Sequence, residues 1–373
     1  MSDICNLQLG DLIEFQRGYD LPQSSFNHGT IPVISSNGIL GYHDEYKVIG
    51  PGITIGRSGT VGLPHFIKEN FFPHNTSLFV KDFKGNDPKY IFYLLKNLGL
   101  QTQKSGSGVP TMNRNHLHPL KILAHLNLDI QKKIAAVLSS LDDKIEINNR
   151  INSELENLAK TIYDYWFVQF DFPDENGTPY KSSGGKMVYN QELKREIPAG
   201  WEVKYIEDIL EVEKKSIKIP TKEVLSAGQY PVVDQSTDYI CGFTNKLESI
   251  IKVDRPRIIF GDHTRIVKLI NFDFARGADG TQVLLSNNER LPQHFFYHTL
   301  LKVDLSNYGY ARHFKFLKQS KILLPNSIIS WKFEKIAAKS YEMIRQNIFQ
   351  NQQLTQLRDW LLPMLMNGQI TVK

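Results

Sequence analysis

The chain is poor in cysteine, has no long apolar run, and carries none of the short loops that hold nucleotides. Its 373 residues include only Cys5 and Cys241. These match no metal-ligand spacing, and such sparing use of thiols fits a reducing, cytoplasmic setting. The N-terminal "MSDICNLQLGDLIEF" has neither a basic stretch nor an apolar core, so no secretory leader is expected. No run of about 18 apolar residues occurs, so no membrane-spanning helix is expected. Pro-Pro is absent, which removes the Asp/Asn/Ser-Pro-Pro-aromatic signature of an adenine methyltransferase. No GxGxxG opens a helix after a strand, and "SGGKM" at Ser183 lacks the Ser/Thr that a phosphate-binding loop gives to Mg²⁺.

What remains is a globular composition, 41% hydrophobic and 22% charged, in a length that suits two domains. The formal charge of +5 permits a polyanionic partner without proving one. Residues 1–125 hold 11 Lys/Arg against 9 Asp/Glu, and residues 204–321 hold 18 against 14. The positive excess therefore lies in these two regions, and the rest is slightly acidic.

Short apolar runs such as "IPVISS", "ITIG", "TSLFV" and "LKIL", divided by Gly and Pro turns, read as strands. "DPKYIFYLLKNLGL" reads as a helix capped by Asp87 with Pro88 at its first turn. From about Asp129 the period becomes seven. Ile134, Leu141, Asn148, Leu155 and Ile162 form one row, and Val137, Lys144, Ile151, Leu158 and Tyr165 a second. Such a helix is roughly 55–60 Å long at 1.5 Å per residue. A Pro-, Gly- and Ser-rich connector follows, then more strands. A second long helix runs from Trp331 to about Met366, with rows Ile336, Met343, Gln350, Leu357, Met364 and Ser340, Asn347, Leu354, Leu361. Pro363 is expected to distort or end its last turn.

The halves repeat at an offset near ~200. "GDLIEF" at Gly10 matches "EDILEV" at Glu207, and "IPVISS" at Ile31 matches "YPVVDQ" at Tyr230. "ITIGRSGT" at Ile53 matches "IIFGDHTR" at Ile258, and "KKIAAVL" at Lys132 matches "EKIAAKS" at Glu334. The expectation is an α+β fold: two pseudo-repeated mixed domains separated by two long antiparallel helices forming a coiled coil. Each narrow apolar stripe needs a partner, and the other helix is the obvious one. Asn148 and Gln350 are equivalent polar seam positions, of the kind that fixes register at a cost in stability.

The block "LDIQKKIAAVLSSLDDKIEINNRINSELENLAKTIYDYWFVQFDFPDENGTPYKSSGGKM", the following "REIPAGWEV" and the echo "FEKIAAKSYEMIRQNIFQNQQLTQLRDWLLPMLMNGQI" resemble the specificity subunit of type I restriction–modification enzymes. The resemblance covers essentially the whole chain. It implies target recognition domains at 1–126 and 200–328, spacer helices at 127–169 and 329–373, and a connector at 170–199. It implies a non-catalytic subunit that reads an asymmetric, split DNA target. It also implies docking of two methyltransferase subunits, which carry S-adenosylmethionine and through which restriction/translocase subunits join. No cofactor and no metal is expected in this chain. The same fold suits an orphan or interchangeable specificity subunit, and a protein-only scaffold is the other alternative. Half-sites about one helical turn apart, near 34–36 Å, would suit two such readers.

Other chemistry is weaker. Pro173-Asp174 with Glu192-Leu193-Lys194 fits a loose metal-nuclease pattern, but Asp174 lies in a turn signal. "GRSGTVG" from Gly56 is either a phosphate cradle or a strand turn. His116 and His118 lack further ligands at metal spacing. The four aromatics of "TIYDYWF" cannot all face one helix, so some should cover a globular domain or a partner. Base reading needs Arg, Lys, Asn, Gln or Ser at groove edges. The repeat-equivalent polar loops offer Ser35, Ser36, Asn37, Arg57, Ser58, Thr60, Asn75, Lys104, Ser107, Asn113 and Arg114 in the first domain. In the second they offer Asp234, Gln235, Ser236, His263, Thr264, Arg265, Arg276, Tyr310, Arg312, His313 and Lys315.

Overall fold

The computed structural model describes residues 4–102, 111–213, 216–278, 280–309 and 312–372. Two compact units divide it: Met1–Ile147 with Gln350–Lys373, and Asn148–Phe349.

In the first unit, β1 (Ile4–Gln8), α1 (Leu9–Leu12), β2 (Glu14–Arg17), β3 (Ile31–Ser35), β4 (Gly38–His43), β5 (Gly52–Gly56) and β6 (Pro64–Ile67) come first. Then follow β7 (Phe72–Pro73), β8 (Ser77–Asp82), α2 (Pro88–Asn97), α3 (Arg114–Leu117), β9 (Lys121–His125) and the start of α4 (Leu128–Tyr163). The sheets have orders β1-β9, β2-β8-β5-β6 and β4-β3-β7, with β3 and β7 parallel. Strand β5 is buried along its whole length, as a central strand with both faces covered should be. Helix α2 starts where expected: the Asp87 carboxylate accepts the Tyr90 N–H at 2.8 Å, and Pro88 fills the first turn.

The second unit holds β10 (Met187–Asn190), β11 (Arg195–Pro198), β12 (Glu202–Tyr205), α5 (Ile206–Ile209), β13 (Leu210–Val212), β14 (Tyr230–Val233), β15 (Gly242–Thr244), β16 (Ile250–Ile251) and β17 (Arg257–Gly261). After these come β18 (Val267–Ile270), β19 (Phe274–Arg276), β20 (Thr281–Ser286), α6 (Gln293–Leu301), α7 (Phe314–Lys318), β21 (Lys321–Leu324) and the start of α8 (Ser327–Met366). Its sheets β12-β21, β13-β20-β17-β18 and β15-β14-β19-β16 reproduce the first unit's, including the parallel β14/β19 pair. A hairpin, β10-β11, belongs to the connector. The sequence repeat is thus a repeat of topology.

Each unit seats a long helix on the entrance of its domain helix. The Gln131 side chain of α4 accepts the Asp87 N–H at 2.9 Å and donates to Asn86 Oδ1 and the His125 carbonyl, both at 2.7 Å. In the second unit Pro292 gives α6 no capping side chain. There Glu334 of α8 accepts the N–H groups of His294 and Phe295 at 3.0 and 3.1 Å and contacts His294 Nδ1 at 2.7 Å. A carboxylate at a helix N-terminus meets both unpaired donors and the dipole.

Within each unit the α4 and α8 segments run antiparallel. In the first, Arg358 pairs with Asp142 at 2.6 Å while Leu365 lies by His125. In the second, Asn347 donates to Asn152 at 2.8 Å while Phe333 meets the Tyr163 ring. The α4 row Ile134, Leu141, Asn148, Leu155, Ile162 is buried or half-buried throughout. Its partner row is not the expected one. Ile151 and Leu158 are exposed, Leu158 by 50%, and the seam uses Leu138, Ile145, Asn152, Ala159 and Trp166, four residues on rather than three. On α8 the row Ser340, Asn347, Leu354, Leu361 faces inward, but Ile336, Met343, Gln350 and Leu357 are exposed. Ala337, Ile344, Asn351, Arg358 and Leu365 take their place. Spacing by seven does not by itself fix the second row, and the small Ala159 and Ala337 take seam places in the same core as Tyr163, Phe333 and Tyr341. Helix α8 also runs three residues beyond Pro363 and ends near Gly368 at φ 68°.

Of the "TIYDYWF" aromatics, Tyr163, Trp166 and Phe167 join the second unit's core, with Phe167 and Phe295 edge to face at 4.6 Å, while Tyr165 is exposed. No described helix is long and apolar enough to cross a membrane.

Two outcomes follow for the isolated chain. Leu158→Ser shifts unfolding free energy by no more than about 0.5 kcal/mol, whereas Ala159→Leu overpacks the seam and costs about 1–3 kcal/mol. Urea unfolding of both variants measures this, and the reverse order would reinstate the three-residue row. His298 is the second case. It stacks on Tyr163 and its Nε2 faces the Tyr341 hydroxyl at 3.2 Å. Burial, then neighbouring His294, pulls its pKa down to about 3. The unfolded chain therefore takes up this proton first, near pH 6.5. Stability from the neutral ring is full above that pH and is lost as pH falls from about 6.5 toward 3, by about 3–5 kcal/mol. His298→Gln should flatten that acid limb in thermal melts.

Candidate nucleic-acid interface

Hydrogen bonds between loops from neighbouring sheets tie together polar segments singled out in the sequence. In the first unit the turn after β5 is closed by Gly62 N–H donating to the Gly56 carbonyl at 2.9 Å. The N–H groups of Arg57 and Ser58 donate to the Thr76 carbonyl at 2.8 and 3.2 Å, and Met112 N–H donates to the Arg57 carbonyl at 2.8 Å. Ser36 N–H reaches Thr76 Oγ1 at 3.3 Å. Four segments are thereby tied together: the loop after β3, the turn after β5, the approach to β8 and the approach to α3.

The second unit makes the same ties. Arg265 N–H closes the turn onto the Gly261 carbonyl, Asp262 N–H donates to the Gly280 carbonyl, and His313 N–H donates to the Asp262 carbonyl, all at 2.8 Å. The turn glycines are obligatory for space. A Cβ on Gly56 would sit 1.8 Å from the Thr60 carbonyl oxygen, and one on Gly261 would sit 2.1 Å from Thr264 Oγ1. "GRSGTVG" is therefore a strand turn held by its own backbone.

On these matching frames the side chains differ. In the first unit Asn37, Thr60, Asn113 and Arg114 are exposed, and Arg57, Ser58 and Asn75 are half-buried. Asn113 caps α3 by accepting Asn115 N–H at 3.0 Å. Asn75 is held by the carboxylate of Asp20, which also pairs with Arg17 at 3.0 Å. Ser35 and Ser36 lie beneath the loop: both are buried, and Ser35 Oγ accepts Asn37 N–H and donates to the Gly38 carbonyl. In the second unit His263, Thr264, Arg265, Arg312 and Lys315 are exposed, and Asp234, Gln235 and Ser236 are half-buried. Gln235 knits the frame, its side-chain oxygen accepting His263 N–H at 3.1 Å and its carbonyl accepting Thr264 Oγ1 at 2.8 Å.

Three more of the expected residues are engaged by the protein's own backbone. His313 is buried, its ring nitrogens facing the carbonyls of Asp262 and Tyr308 at 3.0 and 3.3 Å. Arg276 ends β19 and donates to the Ser216 carbonyl at 3.1 Å. Arg265, at φ 61°, donates to the Leu305 carbonyl at 3.1 Å. Lys104, Ser107 and Tyr310 lie outside the described residues.

Sequence reasoning passed over the residues that brace these loops. Asp262 is buried and accepts Phe314 N–H at 2.8 Å. Lys268 is buried, with its ammonium on the carbonyls of Asp234, at 2.9 Å, and Asp238. His118 braces β2 by accepting Phe15 N–H at 3.0 Å. Burial first, then the charges of Lys84 and Arg114, hold its pKa below the ordinary histidine value. Asp174 and Glu192 are each engaged elsewhere. Asp174 accepts N–H groups of Asn176 and Thr178 within its turn, and Glu192 pairs with Lys321 at 3.0 Å.

The chain is thus a duplicated α+β domain, each copy presenting braced polar loops. Residues 1–157 match the type I restriction modification DNA specificity domain. The chain is 29% identical over 311 residues to the type I restriction enzyme MjaIX specificity subunit of Methanocaldococcus jannaschii, covering 76% of this chain and 69% of that one. It is 22% identical to the HindI specificity subunit of Haemophilus influenzae, covering 65% and 67%. The crystal structure of a type I S subunit from M. genitalium shares the fold, with TM-score 0.65 at 18% identity, over 98% of this chain and 96% of that one. The chain is thus similar over most of its length to type I restriction–modification specificity subunits, and its first 157 residues match the DNA specificity domain of that family.

One outcome tests the turn. Gly56→Ala forces a Cβ onto backbone, so urea unfolding of the chain should show a loss of about 1–3 kcal/mol.

Proposed function

We propose that this chain reads a split, asymmetric DNA target, one half with each loop face, and delivers it to methyltransferase subunits. The observation that carries the reading is the pair of equivalent backbone frames bearing unlike side chains. Arg57-Ser58 in one unit stands where Asp262-His263 stands in the other. Equal frames suit equal docking on a groove, and unlike side chains suit unlike base sequences. The proposed first reader presents Asn37, Arg57, Ser58, Thr60, Asn75, Asn113 and Arg114. The second presents Gln235, Ser236, His263, Thr264, Arg312 and Lys315. The recognition domains are proposed at 1–126 and 200–328, with the helices and connector between and after them.

The partners are two methyltransferase subunits, which bind S-adenosylmethionine and flip the target adenine, and restriction/translocase subunits joined through them. The outward-facing Ile151, Leu158, Met343 and Leu357 support such docking, since exposed apolar rows on a helix suit a partner surface.

Mapping N6-methyladenine in the source cells with and without this gene tests the reading. Loss of one split motif is expected; an unchanged methylome with the methyltransferase active would overturn it. In the assembled complex, Arg114→Ala should weaken DNA binding by about 1–3 kcal/mol if it reads a base. If it contacts phosphate instead, the salt slope should fall by about one.

A further inference from the structure

The two outer strands β6 and β18 each send one polar side chain across to the loop that follows the neighbouring sheet's first strand. In the first unit that side chain is His65, whose Nε2 lies 3.3 Å from the Ser36 carbonyl. In the second it is Lys268, whose ammonium donates to the Asp234 carbonyl at 2.9 Å and to that of Asp238. Sheet register makes them equivalent. His65 pairs with Thr54 and Lys268 with Ile259, each of which lies two residues before the turn glycine, Gly56 or Gly261. Nothing in the sequence links a histidine to a lysine here.

Each bond lands on a loop that the fold otherwise holds from one side. Ser36 N–H is tied to Thr76 Oγ1, and the His65 contact fixes the carbonyl of the same residue, just before exposed Asn37. In the second unit the ammonium gathers two carbonyls, those of Asp234 and Asp238, and so closes the loop that presents Gln235 and Ser236. Burial makes this lysine hard to explain otherwise. A buried ammonium is costly unless its donors are satisfied, and these loop carbonyls accept from it.

We propose that His65 and Lys268 are positioning residues that hold the reading loops of the first and second units, so that each governs the specificity of one half of the target and leaves the other unchanged. This rests on the reading of the loops as DNA readers. The chemistry required is one hydrogen-bond donor at each place, carried by imidazole in one copy and by ammonium in the other. The two differ in reach: a histidine ring spans to one carbonyl, whereas the longer lysine bridges two.

The test uses the full chain assembled with its methyltransferase subunits, with adenine methylation mapped genome-wide. His65→Phe removes one donor and Lys268→Met the other, each keeping a side chain of similar bulk. His65→Phe should raise methylation at sites with one altered base in a single half-site by about tenfold, the scale of one base-pair mismatch, with the other half still read strictly. Lys268→Met should relax the opposite half. His65→Gln and Lys268→Arg, which keep a donor, should retain the parent motif. Relaxation of both halves by one variant, an unchanged motif, or loss of methylation at every site would each overturn the assignment. Absence of any split motif from the parent chain would instead sink the DNA-reading proposal on which this one stands.

Discussion

The seating of a long helix on the entrance of a domain helix is the contact on which each unit depends. Helix α2 or α6 begins with unpaired N–H groups, and a buried helix end left bare is costly. In the second unit Glu334 of α8 meets this need from a distant part of the chain, and in the first, where Asp87 caps α2 itself, Gln131 of α4 holds the Asp87 N–H. Around it pack Leu138, Leu362 and Leu365 with Tyr90 and Leu94 in the first unit, and Tyr163, Phe167 and Phe333 with Phe295 in the second. The polar tie sets where the helix sits along the domain, and the apolar layer supplies most of the driving force. A domain attached in this way has one orientation on its helix, as the proposed presentation of loops to a rigid duplex needs.

The two copies solve the same problems with different residues. Asp87 caps α2 from its own chain segment, so Gln131 needs only to reach a backbone N–H and carbonyl. Pro292 cannot cap α6 with a side chain, and a carboxylate from α8 does so. Met112 and His313 make the same backbone bond, but only His313 adds a ring bonded to neighbouring carbonyls. What persists between copies is backbone geometry, and what changes is the side chain laid upon it.

That division explains how much the sequence disclosed. Strands, turn glycines and the repeat were legible because they are local: "ITIG" and "IIFG" each read as a strand into a tight turn, and both are. Helix existence was legible from the seven-residue period. The register was not, because bulk is a poor guide when Ala159 and Ala337 occupy the narrow places and Leu158 and Met343 lie outside. The loops proposed to read DNA were identifiable by position, but their division into exposed and buried members was not. Ser35, Ser36 and His313 look like any polar loop residue until their backbone partners are known. The braces were invisible. Lys268 alternates along β18 as an ordinary polar strand residue, and its carbonyl partners lie about 30 positions away, where only the fold brings them within reach.

The helix seams show why polar residues persist in them. Apolar contacts crowd toward the domain ends: Ile134, Leu138 and Leu365 in the first unit, Ala159, Tyr163 and Phe333 in the second. Away from those ends the seam carries Asp142 with Arg358, and Asn152 with Asn347. Leucines there would bury more area, yet leucines slide past one another at little cost, whereas an amide pair displaced by one turn leaves its hydrogen bonds unmade. Arg358 is held on both sides, by Asp142 at 2.6 Å and Asp359 at 2.7 Å, while Asp142 also accepts the Tyr93 hydroxyl at 2.7 Å. That carboxylate links α4, α8 and α2 in one unit, so a slip of either long helix would break the link to the domain as well as the seam. Stability is surrendered along the seam, and a single register is what it secures.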